Sequence, residues 1–435
     1  MSDLANKIDA VISERQSQLP LVRGYVDAID KFDAALRTVE STLAEAVDDP
    51  AIGSEIRPLL EEFRTVSPLS KIEQMRQAMS VVRARFERGT INIGVSGQAR
   101  VGKSTLLQRL SGLGDEQIPT GEGLPVTAVR SRIEHSSQNI ALVKFHDWTS
   151  YRREVLDPFY REIGLGTAPA TPEAFQASTP GDGIARELMK SRQLTMLEDL
   201  KAAHAGFASY RSLLSGQEER KPLDQISAYV RKTYATDGQP ANTLYLAVQN
   251  VRILCTFPAN DVQRLVLVDL PGLGEISPDA EGRHLDGLQH DTDLVVMIKR
   301  PDSSQACDWD EKDAQALDLV ERARGDLKRT SDFLFLLKNQ SPSDSPSLLQ
   351  ALSHALHTKV NAPRTHDPLT VLAADANARD GAIDGVLRPV LTHLANNLGR
   401  MDSEVLDGAV ARVAESAKGL SGLLATLSDT LKSLG

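Results

Sequence analysis

Aromatic side chains make up only 4% of this 435-residue chain, and cysteine occurs only at Cys255 and Cys307. No stretch approaches the roughly 20 consecutive apolar residues that a membrane-crossing helix needs. An apolar share of 41% with so few aromatics argues against a core built on Trp, Tyr and Phe, and favours helices packed through Leu, Val, Ile and Ala. The two cysteines lack metal-ligand spacing, which fits unpaired thiols in a reducing, cytoplasmic compartment. The opening residues MSDLANKIDAVISERQ are charged and carry no apolar core of signal-peptide length, so a cleaved secretion signal is not expected. The net charge of −10 is spread along the chain without a basic stripe, so no nucleic-acid partner is expected. Any membrane contact should then be peripheral.

What is abundant is helical periodicity near both ends. Val22, Tyr25, Ile29, Phe32, Leu36, Val39 and Leu43 alternate steps of three and four, the mark of a helix with one buried seam. After Pro68 the same spacing runs through Ile72, Met75, Met79, Val82 and Phe86 and stops at Gly89. Leu406, Val410, Val413, Ala417, Leu420, Leu424, Leu427, Leu431 and Leu434 repeat it near the carboxyl end. These segments are expected to fold back on one another: 1–88 and 401–435 form a helical bundle around a central domain at 89–400. The length supports more than one core. An oligomeric coiled coil and a lipid-facing amphipathic helix are the alternatives for the last segment.

The central region alternates short apolar runs with helical pattern: Ile91–Val95, Ile140–Phe145, Leu265–Asp269, Leu294–Ile298, Phe333–Leu337 and Leu369–Ala373. Such alternation predicts an α/β domain with a mostly parallel sheet and helices on both faces. The interval 148–242 does not fit a minimal domain of this kind. It is polar, broken by Pro169, Pro172, Pro180 and Pro222, and carries Leu197, Leu200, His204, Phe207 and Leu214 on one helix face. It reads as an ordered helical insertion, with His204 packed or half-exposed rather than a ligand.

Directly after the strand INIGV comes Gly97-Gln98-Ala99-Arg100-Val101-Gly102-Lys103-Ser104-Thr105, which satisfies G-x-x-x-x-G-K-S between a strand and a helix. Gly97 and Gly102 allow the backbone to wrap tightly, so that loop N–H groups and the helix amino terminus point at phosphate. Lys103 is expected to reach the β and γ phosphates and Ser104 to give its hydroxyl to Mg2+. Asp269-Leu-Pro-Gly272 ends the strand LVLVD, placing a carboxylate at the carboxyl edge of the sheet, where ligands bind in open α/β folds. Asp269 would hold the metal, and the Gly272 N–H would meet the γ-phosphate, so that the loop through Gly274 and Glu275 senses it. Between these motifs, Thr127 in Leu124-Pro-Val-Thr-Ala-Val is the candidate switch threonine and third metal ligand, with Thr120 as its competitor.

The set GQARVGKST, Pro-Thr-Gly…Pro-Val-Thr-Ala-Val and DLPGLGE resembles the dynamin superfamily of large GTPases, bacterial dynamin-like proteins in particular. The motifs span about 91–398 discontinuously, and the insertion matches nothing in that family. The resemblance implies a P-loop GTPase domain flanked by helices from both chain ends, with GTP and Mg2+ as substrate and cofactor. It also implies nucleotide-dependent dimerisation or assembly and membrane remodelling. Arg100 occupies the position where guanylate-binding proteins and atlastins carry a catalytic arginine, so it is a candidate arginine finger in cis; a surface or salt-bridged arginine is the alternative. With Lys103 and Thr127 it completes the expected catalytic set. Base recognition departs from the family pattern, because Lys338-Asn339-Gln340 has no immediate aspartate after it. Lys338 is expected along the base, Asn339 as a neutral acceptor, and Asp375 either as the missing carboxylate or as a loop cap. Two further readings stay open: a slow, nucleotide-gated module that binds a protein partner through 148–242, and an ATPase.

Overall fold

The computed structural model describes residues 2–98, 100–119, 131–182, 184, 189–231, 242–258, 263–270, 288, 291–301 and 309–434. They form two units. One holds Thr90–Arg324 and Arg329–Ala395 with the chain start as far as Ile8; the other holds Asp9–Gly89, Gly325–Lys328 and Asn396–Gly435.

The first unit is built on a sheet whose strands are, in chain order, β1 (Ile91–Gly97), β2 (Ser131–His135), β3 (Ile140–Phe145), β4 (Glu218–Pro222), β5 (Val248–Cys255), β6 (Leu265–Asp269), β7 (Leu294–Lys299), β8 (Leu334–Asn339) and β9 (Thr370–Ala374). Their order across the sheet is β4-β3-β5-β2-β6-β1-β7-β8-β9. The run from β6 to β9 is parallel throughout. β1 and β6 are buried at every residue, and β7 and β8 nearly so, which is why they read as continuous apolar runs with no polar face. Helices Lys103–Ser111, Glu311–Ala323 and Pro346–Ala355 follow β1, β7 and β8, giving the α/β architecture expected from the sequence.

Beyond β6 the sheet changes character. β2 joins β6 antiparallel, β5 joins β2 parallel, and β3 is antiparallel to both β5 and β4. β2, β4 and β5 have no counterpart among the expected strands, because SRIEH and EERKP are polar and VQNVRILC alternates rather than running apolar. β4 also corrects the expectation that 148–242 is purely helical. Its charged sequence, closed by Pro222, suits an edge that must not pair with another chain.

The described residues of that interval also include the helices Asp157–Ile163, Pro172–Ala177 and Ser191–Ala205. The interval packs around an aromatic cluster of Trp148, Tyr151, Phe175, Phe207 and Tyr210. The Tyr151 and Tyr210 hydroxyls meet at 2.7 Å, and Tyr210 donates to the Ala203 carbonyl at 3.0 Å. His204 lies edge-on to Phe175, with ring centroids 5.2 Å apart, as a packing residue.

The second unit contains the helices Leu19–Ala46, Gly53–Val66 and Pro68–Glu87 and residues 396–434 of the helix Arg388–Leu434. In Leu19–Ala46 the residues Val22, Ile29, Leu36 and Leu43 are fully buried, while the interleaved Tyr25, Phe32 and Val39 are half-buried. The last helix repeats this: Leu406, Val413, Leu420 and Leu427 are buried, and Leu431 is 42% exposed. Burial every seventh residue is the signature of a narrow helix–helix seam. Within the seam's unit, Asp402 is 1% exposed and accepts from Arg15 Nε at 2.7 Å and Arg85 Nε at 2.7 Å. Desolvating these three ions costs several kcal/mol, which seam residues worth about 1.5–3 kcal/mol each can offset. Among the described residues no helix is long and apolar enough to cross a membrane.

Candidate nucleotide site

The carboxyl end of β1 turns into the phosphate loop through two glycines that geometry demands. Gly97 has φ +145°, and a Cβ there would lie 2.6 Å from the Ile298 carbonyl oxygen. Gly102, at φ +104°, caps the helix Lys103–Ser111, and a Cβ would strike the Asn339 side-chain amide. Arg100 also adopts a left-handed backbone, φ +66°, and is exposed. A bulky residue in this region is held there at a conformational cost, which marks the loop as a shaped element.

Lys103 Nζ donates to the Gly97 carbonyl at 2.8 Å and to the Gln98 carbonyl at 3.5 Å, so the ammonium lies over the loop's own backbone. Ser104 and Thr105 follow in the first helical turn, half-buried. On the neighbouring strand, Asp269 pairs in register with Val95 of β1. It is 4% exposed. Burial pushes its carboxyl up to about 6, against the downward pull of the nearby Lys103 ammonium. Its carboxylate makes no hydrogen bond or ion pair with any described residue. Such a group gains most from a metal cation. Magnesium is commonly bound through one or two carboxylates together with hydroxyls, water and substrate phosphates, and the Asp269–Ser104 donor set fits that pattern. Ala99, Thr120, Thr127, Gly272, Gly274, Glu275 and Cys307 lie outside the described residues.

The base side departs from expectation. Asn339 was read as a base contact, yet its amide nitrogen donates to the Val101 carbonyl at 2.8 Å and its oxygen accepts from the Ala376 N–H at 3.0 Å. Buried and engaged at both ends, it clips the phosphate loop to the segment after β9. Lys338 donates to Ser353 Oγ at 2.9 Å. Asp375 is half-buried, and its Oδ1 accepts from the Asn377 N–H at 2.8 Å, the loop-cap geometry. The carboxylate nearest after Asn339 in sequence, Asp344, closes its own turn by accepting from the Ser341 N–H at 2.6 Å.

Sequence reasoning missed a group that grips the loop from the other side. Gln98 Nε2 donates to Asp310 at 3.0 and 3.2 Å and to Asp313 Oδ1 at 2.7 Å. Asp313, buried, is paired with Lys299. Asp310 and Asp313 also form the capping box of the helix Glu311–Ala323. The spacing Asp-x-x-Asp before an apolar periodic run signals that cap in the sequence, although it does not signal the loop contact.

No family model and no curated protein matches the chain. Among solved structures it is similar to two chains of an oligomerised bacterial dynamin pair, described as a mechanism for the long-range sensing and tethering of membranes. One shows 14% identity over 96% of this chain with a TM-score of 0.43, the other 15% identity over 87% with a TM-score of 0.44. This chain spans only 58% and 57% of the length of those two chains.

Proposed function

We propose that this chain is a dynamin-like GTPase that binds and hydrolyses GTP with Mg2+, dimerises or assembles in its nucleotide-bound state, and acts peripherally at a membrane. The observation that carries the nucleotide part is the juxtaposition of Lys103 and Asp269. A lysine lies over a glycine-shaped loop at the end of a buried parallel strand, and a desolvated carboxylate ends the strand beside it. In this reading the loop N–H groups and Lys103 bind the β and γ phosphates. Ser104, Asp269 and Thr127 hold the metal, which when bound neutralises charge on the transferring phosphoryl group. Arg100, exposed in the loop, would act on the γ-phosphate oxygens by the resemblance. Gly272 supplies an N–H to the same phosphate.

The dynamin assignment rests on the motif resemblance, and assembly and membrane action are what that resemblance implies. A second reading, an ATPase, is favoured by one observation: Asn339 and Lys338 are engaged away from any base, which leaves Asp375 to discriminate guanine. The test is steady-state hydrolysis of GTP and ATP against protein concentration, with and without anionic liposomes. GTP turnover per molecule is expected to rise with protein and with lipid. Flat, slow turnover supports the nucleotide-gated binding module instead, and a preference for ATP overturns the guanine assignment.

A further inference from the structure

Gln98 is the second residue of the phosphate loop, and its side chain points away from the phosphate position, into the amino terminus of Glu311–Ala323. A primary amide has two N–H groups. Here one set of contacts goes to both oxygens of Asp310 and the shortest to Asp313. Asp313 is fixed in turn by Lys299, at the end of β7, and by donation of the Asp310 N–H at 3.2 Å. The same Gln98 gives its backbone carbonyl to Lys103 Nζ. A continuous path of polar contacts therefore runs from Lys299 through Asp313 and Gln98 to the lysine that meets the phosphates.

We propose that Gln98, Asp310 and Asp313 form a positioning staple that holds the first half of the phosphate loop open, so that triphosphate binds a preformed cradle. The inference rests on the phosphate-loop reading above. Binding draws Lys103 from the Gly97 and Gln98 carbonyls toward the ligand. Without the staple, those carbonyls and the N–H groups beside them can follow the ammonium, and the loop must be reordered at the expense of affinity. Gln98 does not touch the reacting atoms in this scheme, so its loss falls on binding rather than on the chemical step.

The test uses the full chain. Gln98→Met keeps the volume and removes the amide. It is expected to weaken binding of a non-hydrolysable GTP analogue with Mg2+ by about tenfold, the effect of losing a hydrogen bond to a charged group. KM for GTP should rise in step while kcat at saturation stays within about twofold. Asp310→Ala should weaken binding to a similar degree, and the double variant should be little worse than either single one. Asp310→Asn, which keeps an acceptor oxygen, should remain near wild type. Unchanged affinity in Gln98→Met, a fall in kcat at constant KM, or fully additive losses in the double variant would overturn the staple. Lys103→Ala separates the two levels of the argument: if it binds the analogue as tightly as wild type, the phosphate-loop reading fails. If it loses binding while Gln98→Met does not, the staple alone fails.

Discussion

Asp269 and Asp402 are both carboxylates taken out of water, one at the carboxyl end of the interior strand β6 in the first unit and one among the helices of the second. Their surroundings are opposite. Asp402 is clasped by two guanidiniums at hydrogen-bonding distance. Asp269 has no bonded cation among the described residues, and burial pushes its carboxyl up to about 6 against the pull of the Lys103 ammonium. A carboxylate whose charge is already met by fixed side chains belongs to the architecture. One that is buried and unmet is poised for something that arrives, which is why perturbed groups cluster at functional sites.

Changing charges in each region should sharpen that contrast. The largest effect is expected from Arg100→Ala, an exposed guanidinium in the loop. Turnover should fall by about 10³-fold or more while melting temperature and triphosphate affinity stay close to wild type. Equal turnover would return Arg100 to the class of surface arginines. Next comes Asp402→Ala, which strands Arg15 and Arg85 without their anion. Denaturant unfolding should report a loss of about 3–5 kcal/mol. A loss below about 1 kcal/mol would remove the contrast from that side.

Asp269→Asn should act in the other direction. Its folded-state pKa is raised from 3.8 to about 6, so the acid's contribution to stability is complete below pH 3.8 and lost as pH rises through 6. The ligand-free variant should match wild type in strong acid and exceed it at pH 7.5, by on the order of 3 kcal/mol, while losing Mg2+-dependent triphosphate binding. If melting curves of the two proteins run parallel at all pH values, Asp269 is not a strained carboxylate. The smallest effect is expected from Leu431→Ser in the last helix. A side chain 42% exposed should change stability by no more than about 0.5 kcal/mol.

How much of this was legible in the sequence depended on the range over which each signal acts. β1, β6, β7 and β8 announce themselves because burial on both faces makes most of their residues apolar. β2 and β4 could not be read from SRIEH and EERKP, whose residues extend only because neighbouring strands supply their hydrogen bonds. The helices with a period-seven seam were visible for the same reason as the core strands. Gly97, Gly102, Lys103 and Asp269 could be singled out because a phosphate loop and the carboxyl edge of a sheet impose residue types at fixed spacing. The contacts of Asn339 could not be read, because its partners, Val101 and Ala376, lie 238 and 37 residues away in the chain and no local pattern encodes such a bond.

The repeat of buried residues every seven positions along Leu19–Ala46 and the last helix carries an ambiguity of its own. Sliding a helix with such a repeat along its neighbours by a heptad, about 10 Å of rise, would bring equivalent apolar residues back into register, so a seam alone is a scale without a zero mark. Asp402 supplies the mark. Its carboxylate accepts from Arg15, on the helix Ser2–Ser17, and from Arg85, on Pro68–Glu87, and so ties the last helix axially to those two helices. A group that adds little to the net stability of the helices thus marks the axial position of the last helix against its two neighbours.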